Sequence, residues 1–333
     1  MTGRPLSWSD EAHEVMAGDL TVAVAYLTPA GGAVVTSVSP VGIVDRATGR
    51  VGFTTSLGFP KKLERILHDP HVAVAYHTRL HGFAAHDGYV LAQGSASVDL
   101  SPSAQRLARV MDASEDFLGR AKRGTVWDWL LREYHQERVF VDIDVARLAT
   151  WPDLSARGPM TVAGPSWPRP PDPQRPPAKG TAPRVGVPGL ARQIAPLPHR
   201  LLAYRGADGH PVVLPVRVTG HDEDGLRLTA PPGLLPPGGR RAGFLAHAFG
   251  PRCVGLSMRT LTGWLTVHGD EARYAPHTSR GMTAPANRTV QTVANGLLAK
   301  HGVRRARRDG TAARLRHLAG LIGQPPGQAG LPR

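Results

Sequence analysis

The sequence predicts a mainly β chain with helices, an α+β protein in which two small β-barrels stand in tandem as a covalent pseudo-dimer and a helical C-terminal tail follows. Three observations carry that expectation. Short apolar runs of strand character alternate with turn chemistry, a proline-dense stretch divides the chain near its middle, and the pattern before that stretch returns after it. A chain of 333 residues suggests roughly two domains of about 150 residues each. With 6% aromatics against 38 glycines and 31 prolines, much of it should be turns between short strands.

In chain order, Ser9-Asp10-Glu11 reads as a cap before a short helix to about Ala17. Strands are predicted over Leu20–Leu27, Ala33–Val44 and Val51–Thr55, joined by Pro29–Gly32 and Asp45–Arg50. A short helix opened by Pro60-Lys61-Lys62 and closed by Asp69-Pro70 precedes strands over Val72–Tyr76 and Tyr89–Val98. Ser101-Pro102-Ser103 starts a helical stretch that continues over Val126–Tyr134, where Trp127, Leu130, Leu131 and Tyr134 form an apolar stripe against the sheet. Val139–Val145 alternates as a strand, and Ala149–Trp151 ends the unit. The expected division is a first barrel over 1–157, a proline-rich stiff linker over 158–186, a degenerate second barrel over 187–280 and a basic helical tail over 281–333.

The repeat is visible residue by residue. Ala25-Tyr26, Val34, Val35 and Val38 align with Ala203-Tyr204, Val212, Val213 and Val216 at one offset. At a second offset, Val51–Thr54 aligns with Leu226–Thr229, Gly88-Tyr89 with Gly263-Trp264, and Gly94 with Gly269. Pro236 and Pro237 then fall opposite Lys61 and Lys62, with Arg240-Arg241 as a displaced basic pair. One competent site is expected, in the first copy, with the second supplying a wall.

That site centres on Val51–Pro70. Hydroxyls of Thr54, Thr55 and Ser56 lead into a helix whose first turn carries Lys61 and Lys62. Donors, positive charge and a helix N-terminus together suit a phosphate. The competing reading is a solvated Lys-Lys pair on a surface helix.

These residues resemble the flavin-binding split-barrel superfamily typified by pyridoxamine 5′-phosphate oxidase, over Leu20–Val98, more loosely to Trp151, and weakly again over Leu201–Tyr274. Thr55-Ser56, Lys61-Lys62 and Asp69-Pro70 match the family's Tyr-Thr, Arg-Lys and Asn-Pro positions, which the resemblance assigns to the flavin phosphate. It implies further that Val38, Ser39, Pro40 and Val41 border the flavin ring, and that Tyr89 stands where the oxidase has a cofactor-contacting glutamine. From the second unit, Trp264, Arg252 and Arg259 would complete the pocket. The oxidase's Arg–His–Arg substrate signature has no match, and Arg314-Leu-Arg-His317 is too loose to serve. The resemblance therefore implies two split β-barrels and an FMN-binding oxidoreductase with a small-molecule redox substrate, but no named catalytic residue. The alternatives are a reductase using the deazaflavin coenzyme (F-420), and a non-catalytic flavin- or haem-binding protein with His77, His81 or His247 as haem ligand. As a pseudo-dimer within one chain, the protein is expected to be a monomer or a homodimer.

The net charge of +14 comes mostly from arginine, lysine being confined to Lys61, Lys62, Lys122, Lys179 and Lys300. It favours anionic ligands in general. The run Arg304–Arg308 reads as a solvated basic connector, since no aromatics interleave with it to stack bases; a nucleic-acid partner is not expected. Fifteen histidines show no metal-ligand spacing. Cys253, the sole cysteine, reads as a small buried hydrophobe of a reducing compartment. Without a signal-like apolar core or a membrane-length run, the expectation is a cytoplasmic protein without a membrane partner.

Overall fold

A computed structural model describes residues 5–120 and 137–322, with 124, 125, 127, 129 and 131 between them. Helix α1, Asp10–Gly18, is capped as expected by Ser9, whose Oγ accepts from the Ala12 amide. The first unit follows with β1 (Val22–Leu27), β2 (Ala33–Val38), β3 (Val44–Asp45), β4 (Arg50–Ser56), α2 (Pro60–His68), β5 (His71–Tyr76), β6 (Tyr89–Asp99), α3 (Ala104–Leu118) and β7 (Arg138–Trp151). The single strand expected over Ala33–Val44 is broken after Val38, because Pro40 is followed by left-handed backbone at Val41 (φ 46°) and Gly42 (φ 67°). The helix expected over 126–134 lies mostly outside the described residues.

The second unit comprises α4 (Val187–Ile194), β9 (His199–Arg205), β10 (Pro211–Pro215), β11 (Arg217–Asp222), β12 (Gly225–Thr229), β13 (Gly238–Ala248), β14 (Ser257–His268) and β15 (Glu271–Thr283). Helices α5 (Arg288–Arg308) and α6 (Thr311–Ile322) end the described chain. Strand β8, Thr161–Ala163, lies inside the expected linker and pairs with β7.

All the pairings are antiparallel, and the two sheets share one strand order. The first runs β2-β1-β5-β6-β7-β4-β3 and the second β10-β9-β13-β14-β15-β12-β11, so each strand has a counterpart at the same place. The architecture is two tandem split β-barrels. Register shows where the aligned repeat holds and where it slips. Tyr26 pairs with Val72 as Tyr204 pairs with Ala242, and Val51 pairs with Ile143 as Leu226 pairs with Tyr274, in keeping with both offsets. The later matches fail. The bulged residues are Ala146 of β7, opposite Gln93 and Gly94 of β6, and His277 of β15, opposite Thr262 and Gly263 of β14, so Gly94 corresponds to Gly263, not to Gly269. The cause is the missing helix: the chain between β12 and β13 is short and non-helical, and it shifts everything beyond it. Both glycines are required by the bulge, since a Cβ would be driven into the carbonyl of Asp144 at Gly94 and of Ala275 at Gly263.

Strands β1 and β5 both read Val-Ala-Val-Ala-Tyr and are buried on both faces. Their alternation sorts the side chains. Val22, Val24, Val72, Val74, Tyr26 and Tyr76 fill the first barrel, while Ala23, Ala25, Ala73 and Ala75 join a core shared with the second unit. Small side chains on that face let the sheets approach closely, and a Cβ on Gly243 of β13 would come 2.6 Å from the Ala33 carbonyl of β2. The linker is held as a strap across this junction. The Gln174 amide N–H donates to the Gly239 carbonyl and its side chain donates to the Gly31 carbonyl, linking both units.

Candidate functional site: a cavity between the two units

A cavity of about 520 Å³ opens where the first unit, the second unit and α5 meet. The first unit contributes Ser37, Val38 and Ser39 at the end of β2, and Arg138 and Phe140 at the start of β7. Helix α3 adds Leu107, Val110, Met111 and Leu118. The second unit supplies Arg252, Cys253 and Leu256 from the β13–β14 connection and Met282 from β15, and α5 adds Arg288, Asn295 and Leu298. A mostly apolar cleft of this size with a few convergent polar groups is the usual form of a small-molecule site.

Its polar groups are hydroxyls and several guanidinium groups, with one carboxylate, Glu115 of α3, among them. Ser37 is 5% exposed, and its Oγ has no hydrogen-bond partner among the described residues. The Ser39 hydroxyl is likewise buried, with only the Cys253 thiol beside it. Burial pushes that thiol's pKa up, which keeps it protonated and unreactive at neutral pH. Arg138 sits opposite Ser56 in the β4–β7 register and donates from Nη1 to Thr54 Oγ1 at 2.6 Å. Unsatisfied hydroxyls, a guanidinium and apolar walls fit a flavin-like group in chemical kind.

The structure divides the sequence-predicted residues. Val38 and Ser39 line the cavity, with Pro40 and Val41 buried just behind them. Thr54 reaches it only through Arg138. Thr55, Ser56, Lys61 and Lys62 lie at the next corner and do not line it. There Ser56 Oγ accepts from the Gly58 amide, and the Lys62 ammonium stands 5.7 Å from the Phe53 ring and 5.8 Å from the Phe59 ring. Burial pushes the Lys62 pKa down to about 8. This corner is covered by the tail that the sequence left as a solvated connector. Helix α5 passes so close that a Cβ on Gly302 would lie 2.8 Å from Gly58 Cα, and Val303 and Leu315 join the first barrel's core. Arg307 pairs with Glu137 and Arg314 with Glu64, pinning the basic segment to the first unit.

Other expectations need correction. Tyr89 is fully buried in the core between the units, where its hydroxyl donates to the Val213 carbonyl at 2.7 Å; it does not border the cavity. Of the second-unit candidates only Arg252 lines it. Trp264 packs over Gly239 within the second barrel, and Arg259 lies along Gly281. Arg240 is a structural residue: fully buried, it donates to the carbonyls of Pro171, Pro236 and Pro237. Of the haem-ligand candidates, His81 is exposed beside Phe249, and the other two face each other. His77 and His247 occupy equivalent places at the ends of β5 and β13, and their Nε2 atoms face each other at 2.7 Å in the buried junction. The sequence predicted a helical tail but not its place over the cavity, and it missed Arg138 and Arg288 as lining residues. Arg138 carried a faint signal, heading the strand that pairs with Thr54, whereas the place of α5 carried none because it is set by long-range packing.

Val187, Leu190, Ile194 and Leu197 of α4 and its flank join the core shared by the two units, together with Trp151 and Ala156, and α4 lies against β11 and β12.

The fold and site thus define a tandem split-barrel protein with one cofactor-sized cavity. No family model matches the sequence, and no curated protein matches it. Solved structures similar to the chain include a pyridoxamine 5′-phosphate oxidase-related, FMN-binding protein from Nostoc punctiforme (9% identity, 60% of this chain and 87% of that one, TM-score 0.28). A conserved hypothetical protein from Mycobacterium tuberculosis matches at 19% identity over 47% of this chain and 91% of its own, with a TM-score of 0.33. A heme binding protein from Mycobacterium smegmatis matches along both units, at 13% identity over 89% of this chain and 100% of that one, with a TM-score of 0.32. Among the described residues no helix is long and apolar enough to cross a membrane, and no cluster of His, Cys, Asp and Glu could hold a metal ion.

Proposed function

We propose that this chain binds one FMN in the cavity between its units and serves as a flavin-dependent oxidoreductase for a small molecule. The buried, partnerless Ser37 hydroxyl in the wall of a cavity shared by β2 and β7 is the observation that carries this reading. Val38 and Ser39 would flank the ring. Arg138, held by Thr54, would face the phosphate, with Lys61 and Lys62 adding charge from the covered corner. When bound, the flavin itself supplies hydride or electron transfer, and the protein's residues orient it and exclude water. The deazaflavin coenzyme is the second reading, because the same donor set suits its phosphate equally.

Titration of the purified chain with FMN, followed by quenching of flavin fluorescence, tests the proposal. Saturable binding is expected at one FMN per chain, and Arg138→Ala should weaken it at least about tenfold, the scale of one charge-assisted hydrogen bond. Lys61→Ala with Lys62→Ala should weaken it more than Arg241→Ala, which lies in the second unit. A chain that takes up neither FMN nor the deazaflavin coenzyme overturns the proposal.

A further inference from the structure

The cavity is cationic at two places. Arg138 is half-buried beside Thr54, but a second pair gathers at the mouth, around the end of α3. There the Arg288 guanidinium and the Arg252 side chain both lie against Gly119, within 2.7 Å and 3.2 Å of where its Cβ would be. Gly119 carries a left-handed φ of 76° and Arg252 one of 60°, so the turn presents the Arg252 side chain from a conformation that non-glycine residues seldom adopt. Arg288 is oriented by donating to the carbonyls of Leu118 and Arg120. Neither arginine has a carboxylate partner among the described residues.

The same mouth exposes apolar surface. Met111, Met282 and Leu298 all line the cavity, yet they are 39%, 38% and 63% exposed. Large apolar side chains gathered around one opening mark a binding surface rather than scattered surface hydrophobes, and methionines adapt to ligands of varied shape. Helix α5 brings the two characters together, with Arg288, Asn295 and Leu298 along the face that lines the cavity.

We propose that this mouth is a substrate subsite for an amphipathic anion: an apolar or aromatic body against Met111, Met282 and Leu298, and a carboxylate or sulfonate held by Arg252 and Arg288. The inference rests on the cofactor reading for the inner part of the cavity, but it makes a separate claim.

The test uses the full chain and two fluorescent probes, 8-anilinonaphthalene-1-sulfonate and its uncharged analogue N-phenyl-1-naphthylamine. The sulfonate is expected to bind saturably, about tenfold more tightly than the neutral probe, and still to bind at saturating FMN. Arg252→Gln and Arg288→Gln should erase the preference for the anion, bringing the affinities of the two probes within about twofold of each other. Leu298→Asp should weaken both probes, and the distant Arg205→Gln neither. Equal affinity for the two probes, or a preference that survives both arginine substitutions, overturns the subsite. Stoichiometric displacement of the sulfonate by FMN also overturns it, by making the mouth part of the cofactor's site. Failure of FMN to bind while the arginine-dependent preference persists would instead overturn the cofactor reading alone.

Discussion

Acid should loosen the junction between the units through its paired histidines. His77 Nδ1 lies 3.1 Å from the Ala75 carbonyl, which can only accept, so the neutral ring carries its proton there and His77 Nε2 is an acceptor. His247 must then donate from Nε2 across the 2.7 Å contact, leaving its buried Nδ1 bare. His77 cannot gain a proton at Nε2 without breaking this contact, and a proton on His247 Nδ1 would be a buried charge with no partner among the described residues. Burial, with the nearby His199 and Arg79 adding to it, pushes His77 down to about 3; burial, His77 and His199 push His247 well below its ordinary value. His199 is itself lowered by burial, and Arg79 is paired with Asp19. The unfolded chain takes up these protons near pH 6.5 and the folded chain does not. The stabilisation is therefore complete above about pH 6.5 and is lost as pH falls toward the folded values. At about 1.4 kcal/mol per pH unit, His77 alone costs about 2 kcal/mol between pH 7 and pH 5, and His247 acts in the same direction. Against total stabilities of about 5–15 kcal/mol, this is a substantial fraction. Urea unfolding at pH 7 and pH 5, at fixed ionic strength, gives the difference for the wild type and for His77→Gln/His247→Gln. The double variant should lose at least about 2 kcal/mol less over that interval, whatever its absolute stability. Equal losses in the two proteins would refute the reasoning.

Two further outcomes follow from the packing. Gly94→Ala and Gly263→Ala each drive a methyl group into a backbone carbonyl at equivalent bulges; each should lower Tm, read by calorimetry, by an amount corresponding to several kcal/mol, whereas Gly269→Ala, with open space around it, should cost less. Arg147 is buried between the units, donating to Gln93 and to Asp208 at 2.7 Å. Burial raises the Asp208 pKa and the Arg147 contact more than offsets it, leaving it below the ordinary value. Asp208→Ala strands that guanidinium and should cost about 3 kcal/mol in urea unfolding, and Arg147→Met should cost less.

The order of strands was legible because local physics fixes it. Alternating Val and Ala in β1 and β5, glycine turns and the Ser9 and Ser103 caps each act within a few residues, and the repeat announced that two such units existed. Val38 and Ser39 came from the family resemblance and not from local physics, and the structure places both in the cavity wall. The slip at Gly94 was not, since small residues recur by chance and only pairing across the sheet reveals which glycine sits at a bulge. Lys61 and Lys62 read as a phosphate site on local grounds, and nothing local could show that α5 would lie over that corner. Tertiary structure alone decided the rest. It joined Arg138 of β7, Arg252 of the second unit and Arg288 of α5 around one cavity, and set His77 against His247. Such contacts join residues far apart in the chain through the packing of two sheets and a returning helix. The sequence by itself determined two barrels and a strongly basic character; the packing between them determined which basic residues share one cavity.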